Sequence, residues 1–140
     1  MLDERDRRII AELKKNSRST IRNIAKKTRL RPSTVHMRIK WLEKNKVIEK
    51  YTIGLNRKSV GRDLVAFVLI QTEGRLPLSI IDNLHIEEAY GITGEYDLLL
   101  KMSFGGIEDF NRFLLRLREV DAVEKTLSMV ATLCLKESSY

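Results

Sequence analysis

The chain has 140 residues, 43% of them hydrophobic, enough for one ordinary core or two small ones. Its single cysteine, Cys134, and its widely separated histidines, His36 and His85, exclude an intrachain disulfide framework and a cysteine-rich zinc site, and no metal is expected. The net charge of +7 is uneven: residues 1–50 carry 16 Lys and Arg against 6 Asp and Glu, whereas residues 51–140 carry 10 against 13, so a basic module suited to a polyanion is joined to a mildly acidic one.

The charged start, Met1 to Lys15, lacks the apolar run of a signal peptide, and no stretch approaches the roughly 18 apolar residues of a membrane helix, so a cytoplasmic protein is expected. Leu2, Asp6, Ile9, Ile10 and Leu13 share one face of a helix over about 3–15, with Asp3 as its N-cap. Asn16 to Arg18 break that helix. Thr20 can cap a second, in which Ile21, Ile24 and Ala25 recur at helical spacing as far as Thr28.

Pro32 suits the first position of a third helix. From Ser33 to Lys44, Val35, Ile39 and Leu42 form an apolar stripe, and Ser33, His36, Met37, Lys40 and Lys44 project from the other side. Two short helices around a tight turn, the second exposing hydrogen-bonding and cationic side chains, make a helix-turn-helix that fits a DNA major groove. Ser33, Thr34, His36, Met37 and Lys40 are the base-edge candidates; Arg22, Lys26, Lys27, Arg29, Arg31 and Arg38 are the phosphate candidates. Trp41 is expected to pack against Met37 or a neighbouring hairpin. That hairpin is read from the period-two alternation of Val47, Glu49, Tyr51 and Ile53, the wing of a winged helix. The first domain is therefore placed at 1–53, a linker at 54–63 and a second domain at 64–140.

Leu64 to Thr72 is apolar at nearly every position and predicts a strand covered on both faces. A short helix over 77–84, strands over 86–92 and 96–104, a helix over about 107–118 and a long final strand over 122–136 follow. Cys134 is expected as a small apolar residue of that strand. The order is the βαββαβ ferredoxin-like arrangement, with helices on one sheet face only. The other face then needs a partner, and a homodimer is expected. Between the second and third strands, Gly94 allows backbone amides to approach a ligand, and Asp97 can accept from an ammonium group. No Ser/His/Asp or Cys/His arrangement, phosphate loop or metal spacing is present, so no enzyme is expected. The remaining rival is an architectural, chromatin-type DNA-binding protein with little sequence preference and no effector.

The whole chain resembles the Lrp/AsnC, or feast/famine, transcription regulators. The resemblance runs through Leu2 to Asp6, Arg18, Ile24-Ala25, Pro32 to Val35, Arg38-Ile39, Leu42-Glu43, Val47-Ile48, Gly61, Thr93 to Leu98 and Val123 to Ser128. It implies an α+β protein, with a winged helix-turn-helix followed by a ferredoxin-like domain of the RAM/ACT-like kind. It further implies sequence-specific transcription regulation, dimers that assemble into tetramers or octamers, and an amino-acid or related effector, with no other cofactor. The effector candidates so implied are Thr93, Gly94, Glu95, Tyr96, Asp97, Thr126 and Ser128. The chain departs from the family pattern at Arg29 and Lys46, where glycine is common, at Arg31, where serine usually caps, and at Asn23, which replaces a frequent glutamate. Weaker helix caps and a stronger phosphate attraction are expected from these changes.

Overall fold

In the computed structural model, residues 2–136 are described, Arg75 and Pro77 excepted. The chain forms two compact units, one ending at Gly54 and the other beginning at Leu55.

The first unit holds α1 (Glu4–Lys15), α2 (Ile21–Thr28) and α3 (Pro32–Lys44). A reciprocal capping box starts α1: the Asp6 amide donates to Asp3 Oδ1 at 2.9 Å and the Asp3 amide to Asp6 Oδ2 at 3.1 Å. Thr20 Oγ1 accepts from the Asn23 amide at 3.2 Å, but Asn23 sends nothing back, so this cap is one-sided. The amphipathic stripes meet in a core of Ile9, Leu13, Ile24, Ala25, Val35 and Leu42.

The expected wing hairpin does not form: among the described residues, 47–54 contain no strand. The amides of Val47 and Ile48 both donate to the Leu42 carbonyl, at 2.9 and 3.1 Å, and so close the end of α3 instead of entering a ladder. Alternation alone specifies a strand only where a second strand supplies hydrogen-bond partners. Without that hairpin above it, Trp41 stays 42% exposed.

The second unit holds β1 (Leu64–Thr72), α4 (Leu78–Ile81), β2 (Ile86–Gly91), β3 (Leu98–Phe104), α5 (Ile107–Arg118) and β4 (Val123–Val130). The strands form one antiparallel sheet in the order β2-β3-β1-β4. Ala66, Val68, Ile70, Leu100, Met102 and Phe104 are buried under Phe110, Phe113, Leu114 and Leu117 of α5. The alternate β1 residues, Val65, Phe67 and Leu69, remain only half-buried, so the chain's own helices cover one face of this apolar strand.

Three elements are shorter than expected. The helix over 77–84 is a single turn, with Pro77 outside the described residues, and the third strand starts at Leu98, after the turn that the sequence places inside it. The last strand ends at Val130, opposite Ala66 of β1, and one further bond joins the Ala131 amide to the Val65 carbonyl at 2.9 Å. Beyond it Leu133 and Leu135 are 73% and 90% exposed, and Cys134 is exposed outside any strand. The expected linker is not slack: Arg57 makes a two-pronged ion pair with Glu87 of β2, and Arg62 donates to the Leu84 carbonyl at 3.0 Å. No helix among the described residues is long and apolar enough to cross a membrane.

Candidate nucleic-acid interface and effector turn

The turn between α2 and α3 is built without glycine. Arg29 takes the left-handed conformation, φ 58° and ψ 35°, and its amide donates to the Ala25 carbonyl. Lys46, after α3, is left-handed too, at φ 54°. These are the non-glycine residues with positive φ among the described residues, and a Cβ in that conformation costs on the order of 1 kcal/mol. Each position carries a cation in exchange. Arg31 precedes α3 with no side-chain cap, and Pro32 occupies its first turn, where the missing amide hydrogen needs no acceptor.

Helix α3 has two distinct sides. Val35 and Leu42 are fully buried, whereas Ser33, His36, Met37 and Lys40 are exposed and Thr34 is half-buried. Met37 is 66% exposed, an apolar side chain on a polar face of the kind that meets a thymine methyl in a groove. Arg22, Lys26, Arg29 and Arg31 are exposed and, among the described residues, have no carboxylate within 4.0 Å. Lys27 is exposed but shares Glu12 with Lys15, at 3.1 and 2.6 Å, and those two ammonium groups hold the Glu12 carboxyl below its ordinary range.

Arg38 has partners that the sequence reading did not assign. Its guanidinium lies 2.8 Å from Asp6 and 2.7 Å from Asp3, with the side chain 25% exposed, so two carboxylates already hold a group expected on phosphate. The Asp6 side chain is 4% exposed, and its hydrogen bond raises the Arg38 pKa further. Asp3 is lowered, first by the Asp6 amide and then by the Arg38 charge. The signal for this latch was present, because Asp6 sits in the apolar stripe of α1 and a carboxylate on a buried face requires a cationic partner.

In the second unit the Ile92 amide donates to the Asp97 carbonyl at 2.8 Å and closes the loop 93–96. Gly94 turns it at φ 122°, a region that a side chain rarely enters. The Asp97 amide donates to the Ile70 carbonyl at 2.9 Å. Asp97 Oδ2 accepts from the Thr72 amide at 2.7 Å and hydroxyl at 3.1 Å. Asp97 thus anchors the turn to the end of β1 while remaining exposed. Lys125 of β4 pairs with Glu95 at 2.6 Å and lies 5.5 Å from the centre of the Tyr96 ring; the Glu95 carboxylate raises its pKa.

The structure therefore gathers Glu95, Tyr96 and Lys125 on one side of the turn, with Asp97 at its base. Thr126 and Ser128 pair with Ile70 and Val68, so they face the helix side of the sheet, opposite Lys125. Sequence reasoning missed Thr72 and Lys125. Nothing local marks either, since each meets the turn across 25 or more positions of chain.

Residues 2–49 match the family described as winged helix-turn-helix DNA-binding, and residues 65–140 match the Lrp/AsnC ligand binding domain. The HTH-type transcriptional regulator FL11 of Pyrococcus abyssi is 37% identical over 142 residues, covering 99% of this chain and 94% of the relative. The chain belongs to the Lrp/AsnC family of transcriptional regulators. An uncharacterised HTH-type regulator of the same organism is 38% identical to this Lrp/AsnC protein over 141 residues, covering 98% of the chain and 96% of the relative. Among solved structures, a Neisseria meningitidis transcriptional regulator in complex with L-Met superposes with a TM-score of 0.93 at 25% identity, over 99% of this chain and 95% of that one. Bacillus subtilis LrpC superposes with a TM-score of 0.88 at 26% identity, over 97% and 98%. This Lrp/AsnC protein is accordingly a transcriptional regulator with a DNA-binding helix-turn-helix domain and a ligand-binding domain.

Proposed function

We propose that this regulator binds particular duplex DNA sequences as a homodimer in the cytoplasm and that an amino acid or related metabolite adjusts its binding; no catalytic step is assigned to it. The observation that carries this reading is the two-sided α3: Val35 and Leu42 anchor one side, while Ser33, Thr34, His36, Met37 and Lys40 are left for base edges. Arg22, Lys26, Lys27, Arg29 and Arg31 supply the phosphate contacts. Residues 1–53 act as the reader, 54–63 as the connection, and 64–140 as the assembling and sensing domain. The half-buried apolar face with Val65, Phe67 and Leu69 pairs with the same face of a second copy, and dimers join further into tetramers or octamers.

The effector reading rests on the exposed groups at Thr93, Gly94, Glu95 and Asp97 beside the half-buried Tyr96, and on the L-Met in the complex of the Neisseria regulator. A carboxylate meets Lys125 and loop amides, and an ammonium meets Glu95 or Asp97. Thr126 lies one rung from this turn, and Ser128 is the more distant candidate.

The deciding measurement is the ratio of affinities for a selected site and for random DNA at one physiological salt concentration. A ratio of about a thousand or more is expected of a specific regulator; a ratio near unity identifies an architectural coat and overturns the reading. For the effector, one or a few of the twenty amino acids should raise the melting temperature. A flat response across all of them removes the effector while leaving DNA recognition standing.

A further inference from the structure

Because α4 is a single turn, Leu78–Ile81, beside the three-turn α5, the helical layer over the sheet is left incomplete. A groove of about 380 Å³ remains between them, within the size range of small-molecule sites, roughly 300–1,000 Å³. Its apolar part is Ile80, Phe113 and Leu117, the last two buried. Its polar part includes His85, Asp109, Arg112 and Arg116.

The charges in this groove are unequal. Asp109 is matched by Arg112 at 2.9 Å, whereas Arg116, one helical turn further along the same face, has no carboxylate within 4.0 Å among the described residues. The wall opposite is held rigidly. His85 Nδ1 lies 3.0 Å from the Ser103 carbonyl, which can only accept, so Nδ1 carries the hydrogen. The ring also stacks on Phe104 at 4.4 Å, and the Asn83 side chain accepts from the His85 amide at 2.9 Å. A preorganised wall, an apolar floor and one guanidinium without an acidic partner define an amphipathic anion.

We propose that this groove is a second small-molecule site, which takes a monocarboxylate with a short apolar body, the carboxylate on Arg116 and the body on Ile80, Phe113 and Leu117. None of the residues of the effector turn lines it, so the two sites are separable in one experiment.

Hexanoate is titrated into the full-length protein, with the isoleucine methyl groups observed by NMR; hexanamide serves as the uncharged control and acetate as the control without a body. The Ile80 methyl shifts and saturates with hexanoate, the Ile92 methyl beside the effector turn does not, and both controls bind about tenfold more weakly or worse. R116Q weakens hexanoate binding by about tenfold, and R116K recovers part of the loss because charge returns without the planar fork. I80W fills the groove and also removes the reporting methyl, so it is read by calorimetry: the heat of hexanoate binding disappears, while the isoleucine methyl signals remote from the groove keep their positions and report an intact fold. Equal binding of hexanamide, undiminished binding by R116Q, or no saturating Ile80 shift at millimolar hexanoate overturns the proposal. Each of those outcomes leaves the DNA specificity ratio untouched.

Discussion

The helical unit closes its own core from three helices, and the outer side of α3 with the turn before it is mainly polar and cationic, through Ser33, His36, Lys40 and the arginines, with Met37 and Trp41 as exposed apolar exceptions. The sheet unit closes one face only. Its α5 covers Ala66, Val68 and Ile70, while Phe67 and Leu69 look the other way with Leu127 and Met129, each 44% exposed. The two surfaces therefore call for different partners. A polar face with arginines that lack acidic neighbours is satisfied by phosphates and base edges, and an apolar sheet face is satisfied by another apolar surface. The units also differ in how they are held. Each core is flanked by a partly buried ion pair: Arg57 with Glu87 ties the start of the sheet unit to β2, whereas in the smaller helical unit Arg38 of α3 meets Asp3 and Asp6 at the start of α1.

The largest expected effect attacks the apolar face. If the proposed dimer forms through this face, Phe67→Lys combined with Leu127→Glu should convert it to monomer in analytical ultracentrifugation, and DNA affinity should fall by about a hundredfold with the loss of a second half-site. A dimer that survives both charges would move the interface off this face. Next is the latch. Asp6→Ala leaves Arg38 without its buried partner and removes half of the capping box, so the helical unit should lose about 2 kcal/mol in urea unfolding.

The same latch has a pH signature. The folded-state pKa of Asp3 is depressed, so its contribution is complete above the unfolded value and disappears as the pH falls below about 4. Asp3→Asn should flatten that acid limb; an unchanged limb would leave the capping box without an electrostatic role.

A smaller and opposite effect is expected at the turn. Arg29→Gly removes the left-handed strain and should stabilise the helical unit by about 1 kcal/mol, while reducing the slope of log affinity against log salt by about 0.9. Stabilisation with an unchanged slope would show that Arg29 does not reach phosphate. The smallest effect belongs to Glu95→Gln, which breaks the exposed pair with Lys125: stability should change by less than about 1 kcal/mol, and any larger response should appear only when an effector is present.

Much of the helical unit was legible because its signals are local. Asp3, Thr20 and Pro32 mark helix starts by hydrogen-bond chemistry within one turn, and the stripe of Val35, Ile39 and Leu42 follows from helical geometry alone. The resemblance in Thr93 to Leu98 likewise pointed to the Lrp/AsnC family before any fold was seen. The two misread strand segments share one cause. The alternation at 47–53 and the apolar run at 131–136 look like strand, yet a strand exists only where a neighbour offers a ladder: here Val47 and Ile48 bond to Leu42, and the bond from the Ala131 amide to Val65, next to the first residue of β1, leaves almost no strand for later residues to pair with.

By itself the sequence determined the helix positions of the first unit, the order of strands and helices in the second, the position of the Gly94 turn and the division of charge. These depend on periodicity, caps and composition, which act over a few residues. Only the tertiary structure decided that Arg38 faces inward to Asp6, that Thr72 and Lys125 join the turn, that Thr126 lies across the sheet from Lys125, and that the short α4 leaves a groove beside Arg116. Each of those facts is a meeting between residues distant along the chain, and such meetings are set by packing and strand register, which no local pattern encodes.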